Sequence, residues 1–149
     1  MSGPVRRARE GGMAWDDVPV LAYKQDGEAP FKDVTRQVLF EDSALAAQLR
    51  YFEVAPGGHT TLERHQHVHA VVIARGRGRC LIGETIHDLA ERDLVHIPSM
   101  TWHQFRAHDD GPLGFLCLVN ADRDRPALPD EDALRALRAA PGVAQFIRT

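Results

Sequence analysis

The sequence predicts an all-β domain, a sandwich or closed barrel carrying a short C-terminal helix, and three observations support this. From Val34 to Asn120 the chain is a succession of short β-branched or alternating runs. Turn-forming clusters separate them: Pro56-Gly57-Gly58, Gly76-Arg77-Gly78, Gly83-Glu84 and Asp109-Asp110-Gly111-Pro112. Finally, 149 residues with 44% hydrophobic content suffice for one core that needs no disulfide or metal to fold.

Taken in chain order, residues 1–12 are basic through Arg6, Arg7 and Arg9 and lack the apolar run of a signal peptide. They are expected to form a flexible leader, with Met13 a second candidate start and residues 13–149 a single domain. Trp15–Leu39 includes an extended segment that could be exchanged with a partner subunit. Strands are expected at Val34–Leu39, Leu49–Ala55, Ala70–Ala74, Arg79–Ile82, Leu94–Ile97, Trp102–Ala107 and Leu113–Val119. Acidic Asp130-Glu131-Asp132, late Arg135 and Arg138, and the Pro141-Gly142 break mark a helix between them. It should pack on the barrel or on a neighbouring subunit.

Composition excludes some partners. A net charge of -3 gives no reason to expect nucleic acid or an anionic membrane surface, and no stretch approaches a membrane span. The only cysteines, Cys80 and Cys117, form neither a disulfide framework nor a thiolate zinc motif. A reducing, cytoplasmic setting is expected.

Most of the eight histidines fall between His59 and His103. In Glu63-Arg64-His65-Gln66-His67-Val68-His69, the four-residue interval from His65 to His69 would suit a helical HExxH zinc site. That motif needs Glu where Gln66 stands, and the Val68, Val71, Val72, Ile73 sequence favours a strand. On strands or their connecting turn, Glu63 and His65 share a face, His69 returns on the next strand and His103 arrives from another. Three imidazoles and a carboxylate suit a divalent ion: Mn, Fe(II), Co, Ni, Cu or Zn. Such a set leaves coordination positions open, as catalysis requires. His59, His67, His87, His96 and His108 are expected to be ordinary strand or surface histidines.

These spacings resemble the cupin signature. Gly57, five residues, Glu63, one, His65, three, His69, six and Gly76 follow its first motif, with the first His and the Glu exchanged in type. Pro98 and His103 keep the second motif, whereas Arg92 and Met100 replace its glycines and Ala107 its Asn. The resemblance covers about residues 48–120 and implies a jelly-roll (double-stranded β-helix) barrel, with Glu63, His65, His69 and His103 as metal ligands. Arg92 and Met100 leave the loop geometry before His103 open. Glu63 in place of a His biases the site towards manganese, with Fe(II) next.

Cupins include dioxygenases, isomerases, decarboxylases and non-catalytic binding modules, so the fold alone does not give the function. In Leu113–Val119, alternation places Phe115 and Cys117 on one face. If that face lines the barrel, Cys117 is either a thiol nucleophile beside the metal or a small buried hydrophobe. The Pro112–Cys117 block, with Glu63-Arg64-His65 and Trp102-His103-Gln104-Phe105, resembles small bacterial cupins that act on a methylthio-sugar phosphate. That resemblance implies attack of Cys117 on a methylthio sulfur of methylthioxylulose 5-phosphate, release of deoxyxylulose 5-phosphate, and regeneration by an external thiol. Arg50, Arg64, Arg75 and Arg106 are then phosphate candidates by position. The alternatives are a dioxygenase or sugar isomerase with Gln104 near the metal, or a non-catalytic small-molecule-binding cupin. Membership also implies a homodimer.

Overall fold

The computed structural model describes residues 4–23 and 32–149 of the chain. Nine strands are present among them: β1 Leu21–Ala22, β2 Lys32–Glu41, β3 Ala47–His59, β4 His69–Gly76, β5 Gly78–Ile82, β6 Thr85–Leu89, β7 Leu94–Ile97, β8 His103–Ala107 and β9 Leu113–Asn120. Two helices follow, α1 Glu131–Ala139 and α2 Val143–Phe146. The strands join in one curled sheet of order β6-β5-β8-β3-β9-β4-β7, with β2 also pairing β3 and β1 pairing β2. All pairs are antiparallel, as short connections demand.

Seven of these strands stand where the hydrophobic runs predict them. Thr85–Leu89 was not anticipated: its outer residues are polar and exposed, and only Leu89 is buried. Leu21–Ala22 is too short and exposed to leave a pattern. Within the expected leader, Ala8 bridges to Trp15 and Arg6 Nη1 donates to Leu39 O at 2.9 Å. The part of the extended N-terminal segment at residues 24–31 lies outside the described residues, and β2 pairs along β3 of its own chain.

The concave face holds the main core. Cross-strand register aligns Val34 with Val54, Arg36 with Phe52, Arg50 with Cys117, Phe52 with Phe115 and Val71 with Cys117 on that face. Phe105 stacks on Phe115 at 4.6 Å and Phe115 on Phe52 at 5.5 Å, forming an aromatic floor.

On the convex side, Leu81 and Leu62 pack with Leu137, Val143, Phe146 and Ile147 of the C-terminal helices. Asp130 caps α1 by accepting from Ala133 N at 2.8 Å. Gly142 takes φ 78° after Pro141, so the predicted break reverses the chain into α2. The helix therefore packs on its own barrel.

Gln104 is fully buried on this convex side. Its Nε2 donates to Thr60 O and Arg148 O, both at 2.8 Å, and its Oε1 accepts from Arg148 N at 3.0 Å. This corrects the expectation of Gln104 near the metal. Alternation along β8 turns it away from His103, and it pins the C-terminal segment to the barrel.

Among the described residues no helix is long and apolar enough to cross a membrane.

Candidate metal and thiol site

Two glycine-type turns place the histidines. Gly57 and Gly76, the first-motif glycines, have φ 72° and 74°, a region costly to residues with a Cβ. Arg92 and Met100, which replace the second-motif glycines, retain the same backbone at φ 76° and 55°. The loop geometry left open by the sequence is thus kept despite the side chains. Main-chain bonds hold it: Arg92 N donates to Ile73 O, and Met100 N to His65 O, both at 2.7 Å. The second bond fastens the loop before His103 directly to a candidate ligand.

Glu63 and His103 exchange both backbone bonds, Glu63 N to His103 O at 3.2 Å and His103 N to Glu63 O at 3.0 Å. A pair of this kind sets two side chains side by side on one face. Residues 65–68 then turn, and His69 opens β4.

His65, His69 and His103 each offer a ring nitrogen within 4.8 Å of the others. His65 Nε2 lies 2.9 Å from His69 Nε2. His65 Nδ1 stands 2.7 Å from His67 O, and His103 Nδ1 stands 2.9 Å from Thr101 O. A carbonyl only accepts, so in both rings Nδ1 carries the proton and the Nε2 lone pair faces inward. Burial first, and then the neighbouring His103 charge, lowers His65 to about 4 and His69 to about 2. Both are neutral near pH 7, the ligating form. Cis ligands about 2.1 Å from an ion lie about 3 Å apart, as the two Nε2 atoms do. The donor set fits a divalent ion. Glu63, buried, lines the same pocket beside this imidazole group.

Cys117 is 2% exposed, and its sulfur lies 2.8 Å from His69 Nδ1 and 3.8 Å from Arg50 Nη2. Alternation along β9 does turn it inward with Phe115. Burial raises the thiol, while the Arg50 charge and its contact with the sulfur oppose that rise. Cys80, in the apolar core, is pushed up by burial to about 12. Both cysteines are unpaired. The pocket reaches Tyr23, Phe52, Phe105 and Phe115, so an apolar cavity meets a polar end.

Some side chains differ from expectation. His67 is no ordinary surface histidine: its ring stacks on His65 at 3.6 Å and meets Asp124 Oδ1 at 2.8 Å. Asp124 also accepts from the Gln66 and His67 backbone N–H groups, clamping the ligand turn. Its carboxyl is held well below the usual range, first by the Gln66 bond. Nothing in the local sequence marks Asp124, which arrives from 58 residues away. His87, His96 and His108 are exposed, and His59 Nδ1 contacts Thr60 O.

Of the four arginines marked by position, only Arg50 lines the pocket. Arg64 lies over the Trp102 ring at 4.5 Å, Arg75 pairs with Glu53 at 3.3 Å, and Arg106 donates to Phe146 O at 2.8 Å.

Residues 50–119 match the family model described as the cupin domain. A protein of Rhodospirillum rubrum, 1-methylthio-D-xylulose 5-phosphate methylsulfurylase, is 57% identical over 133 residues, 89% of this chain and 85% of its own. The crystal structure of a cupin 2 conserved barrel domain protein from Rhodopseudomonas palustris superposes with a TM-score of 0.91 at 60% identity, covering 97% of this chain and 99% of that one. A cupin-2 domain structure from Rhodospirillum rubrum gives 0.86 at 54% identity, covering 94% of each.

Proposed function

The chain belongs to the cupin family, and from that premise we propose that it is a metal-dependent, thiol-dependent methylsulfurylase. Its substrate would be methylthioxylulose 5-phosphate and its product deoxyxylulose 5-phosphate. The observation that carries this reading is the Cys117 sulfur 2.8 Å from His69 Nδ1 inside the pocket. A dioxygenase or isomerase has no use for that thiol. The 57% identical relative is named for this activity.

His65, His69 and His103 would hold the ion through Nε2, with Glu63 as an oxygen donor favouring manganese over Fe(II). When bound, the ion supplies Lewis-acid polarisation of the sugar's oxygens. With its Nε2 lone pair so engaged, His69 keeps its proton on Nδ1, facing Cys117. The sulfur then accepts that hydrogen bond and is favoured as thiolate, with Arg50 adding a cationic neighbour. Cys117 Sγ attacks the methylthio sulfur as the carbon–sulfur bond breaks, and the electron pair leaves on carbon as an enolate. Protonation of that carbon gives the deoxy sugar phosphate. The enzyme holds a methyl mixed disulfide, which two equivalents of an external thiol reduce, releasing methanethiol and the oxidised thiol. The aromatic floor of Phe52, Phe105 and Phe115 excludes water from the carbanion.

A homodimer completes the proposal. Val72, Leu94 and Leu118 form an exposed apolar strip on the outer face, where Val72 aligns with Leu94 across β4 and β7.

The test is incubation of the manganese-loaded protein with methylthioxylulose 5-phosphate and dithiothreitol. Stoichiometric methanethiol and deoxyxylulose 5-phosphate support the reading. Unchanged substrate with full metal occupancy excludes it.

A further inference from the structure

Arg50 is 6% exposed, its Nε has no hydrogen-bond partner among the described residues, its Nη2 lies 3.8 Å from the Cys117 sulfur, and its guanidinium lies 4.8 Å from the centre of the Phe52 ring. A buried guanidinium that meets a sulfur and an aromatic face but no carboxylate among the described residues is stabilised when an anion is brought to it. Arg36 shares this inner face. It aligns with Phe52, one inward-facing position along from Arg50, and is therefore Arg50's diagonal neighbour. Its Nε is also buried without a partner, and its guanidinium lies 5.9 Å from the ring of Tyr23, a pocket residue. Arg123, just beyond β9, donates from Nη1 to Gln48 Oε1 at 3.2 Å and to Asn120 O at 2.9 Å, both neutral acceptors. Burial lowers its pKa, and the charges of Arg50 and Arg36 lower it further, so the three cations feel one another. Among the described residues no carboxylate forms an ion pair with any of them. Like charges gathered beside a cavity, with no ion-paired carboxylate among the described residues, are a site for an anion.

We propose that Arg36, Arg50 and Arg123 form a subsite for a phosphate-monoester dianion. The assignment rests on the sugar-phosphate reading above and gives it a direction. Cys117, Arg50 and Arg36 lie on the adjacent strands β9, β3 and β2, so thiol and outermost arginine are two strand spacings, about 10 Å, apart. A five-carbon chain with a terminal phosphate bridges that gap with its far end at Cys117. The sequence marked only Arg50, because Arg36 comes beside it through sheet register and Arg123 from the chain beyond β9.

The test is calorimetric titration of orthophosphate into the manganese-loaded protein at fixed ionic strength, with acetate as the carboxylate control. The expected result is a single phosphate site in the wild type, weakened about tenfold in Arg36→Gln and in Arg123→Gln, and largely kept in Arg36→Lys. Metal content and thermal midpoint, measured alongside, identify any variant that fails to fold, and either substitution suffices. Undiminished phosphate binding in folded variants overturns the subsite, as does equal binding of acetate or no phosphate binding by the wild type. Phosphate binding lost in the variants, in a protein that releases no methanethiol, would leave the subsite standing and exclude only the methylthio chemistry.

Discussion

His69 faces two ways: its Nε2 lies 2.9 Å from His65 Nε2, and its Nδ1 lies 2.8 Å from the sulfur of Cys117. One imidazole therefore joins the candidate metal centre to the candidate nucleophile. Loading the first side fixes the proton on the second, and with it the hydrogen-bonding role of the thiol.

Replacing Cys117 by Ala is expected to cut methanethiol release by at least about three orders of magnitude. Manganese content should be unchanged, since the sulfur lies beyond the imidazole ring. Retained turnover would mean that the thiol is a packing residue.

His65→Ala, His69→Ala and His103→Ala should each strip the metal, as elemental analysis would show. Glu63→Gln keeps the shape but removes the charge, and should lower manganese affinity about 10–100-fold. Full occupancy in the three histidine variants would refute the ligand set.

Arg92 and Met100 hold left-handed backbone that a glycine adopts without strain. Arg92→Gly and Met100→Gly should each stabilise the protein by about 0.5–1 kcal/mol, the relief of strain outweighing the added chain entropy. Thermal midpoints should rise by about 1–4 °C per substitution. A fall would show that the side chains contribute more than the backbone costs.

Gln104→Ala removes three buried hydrogen bonds and takes this partner from the Arg148 N–H and carbonyl, leaving Thr60 O only its contact with His59 Nδ1. A loss of about 2–4 kcal/mol in denaturant unfolding is expected, with metal content retained. Loss of metal without loss of stability would return Gln104 to the site.

Acid should destabilise the metal-free protein through the imidazoles. His65 and His69 titrate in the fold at about 4 and about 2, against 6.5 in the open chain. Below about pH 6.5 the unfolded chain therefore binds more protons. Stability is full above that pH and falls as pH drops towards 4. Denaturation midpoints that do not move between neutral pH and about pH 5 would contradict buried, neutral ligands.

The strands were legible because each has a buried face and a turn on either side, and β7 falls where its alternation of exposed Leu94 and buried Val95 predicts. The two-residue β1 and the largely exposed β6 carry too little burial to mark the sequence. In the candidate site, spacing predicted that His65, His69 and His103 come together, since short turns control their approach. Asp124, Arg36 and Arg123 were invisible for the opposite reason. They are single polar residues without local pattern, delivered by strand register and by the chain beyond β9. Gln104 was misassigned because its neighbour His103 suggested a shared role, whereas a strand sends neighbours to opposite faces.

The most direct measurement of the central claim is intact-protein mass after one turnover without added thiol. Reduced, manganese-loaded protein mixed with methylthioxylulose 5-phosphate should gain about 46 Da, a methylthio group in place of the thiol hydrogen. Peptide mapping should place it on Cys117, and dithiothreitol should remove it. Product formed with no adduct, or an adduct on Cys80, would contradict Cys117 as the nucleophile.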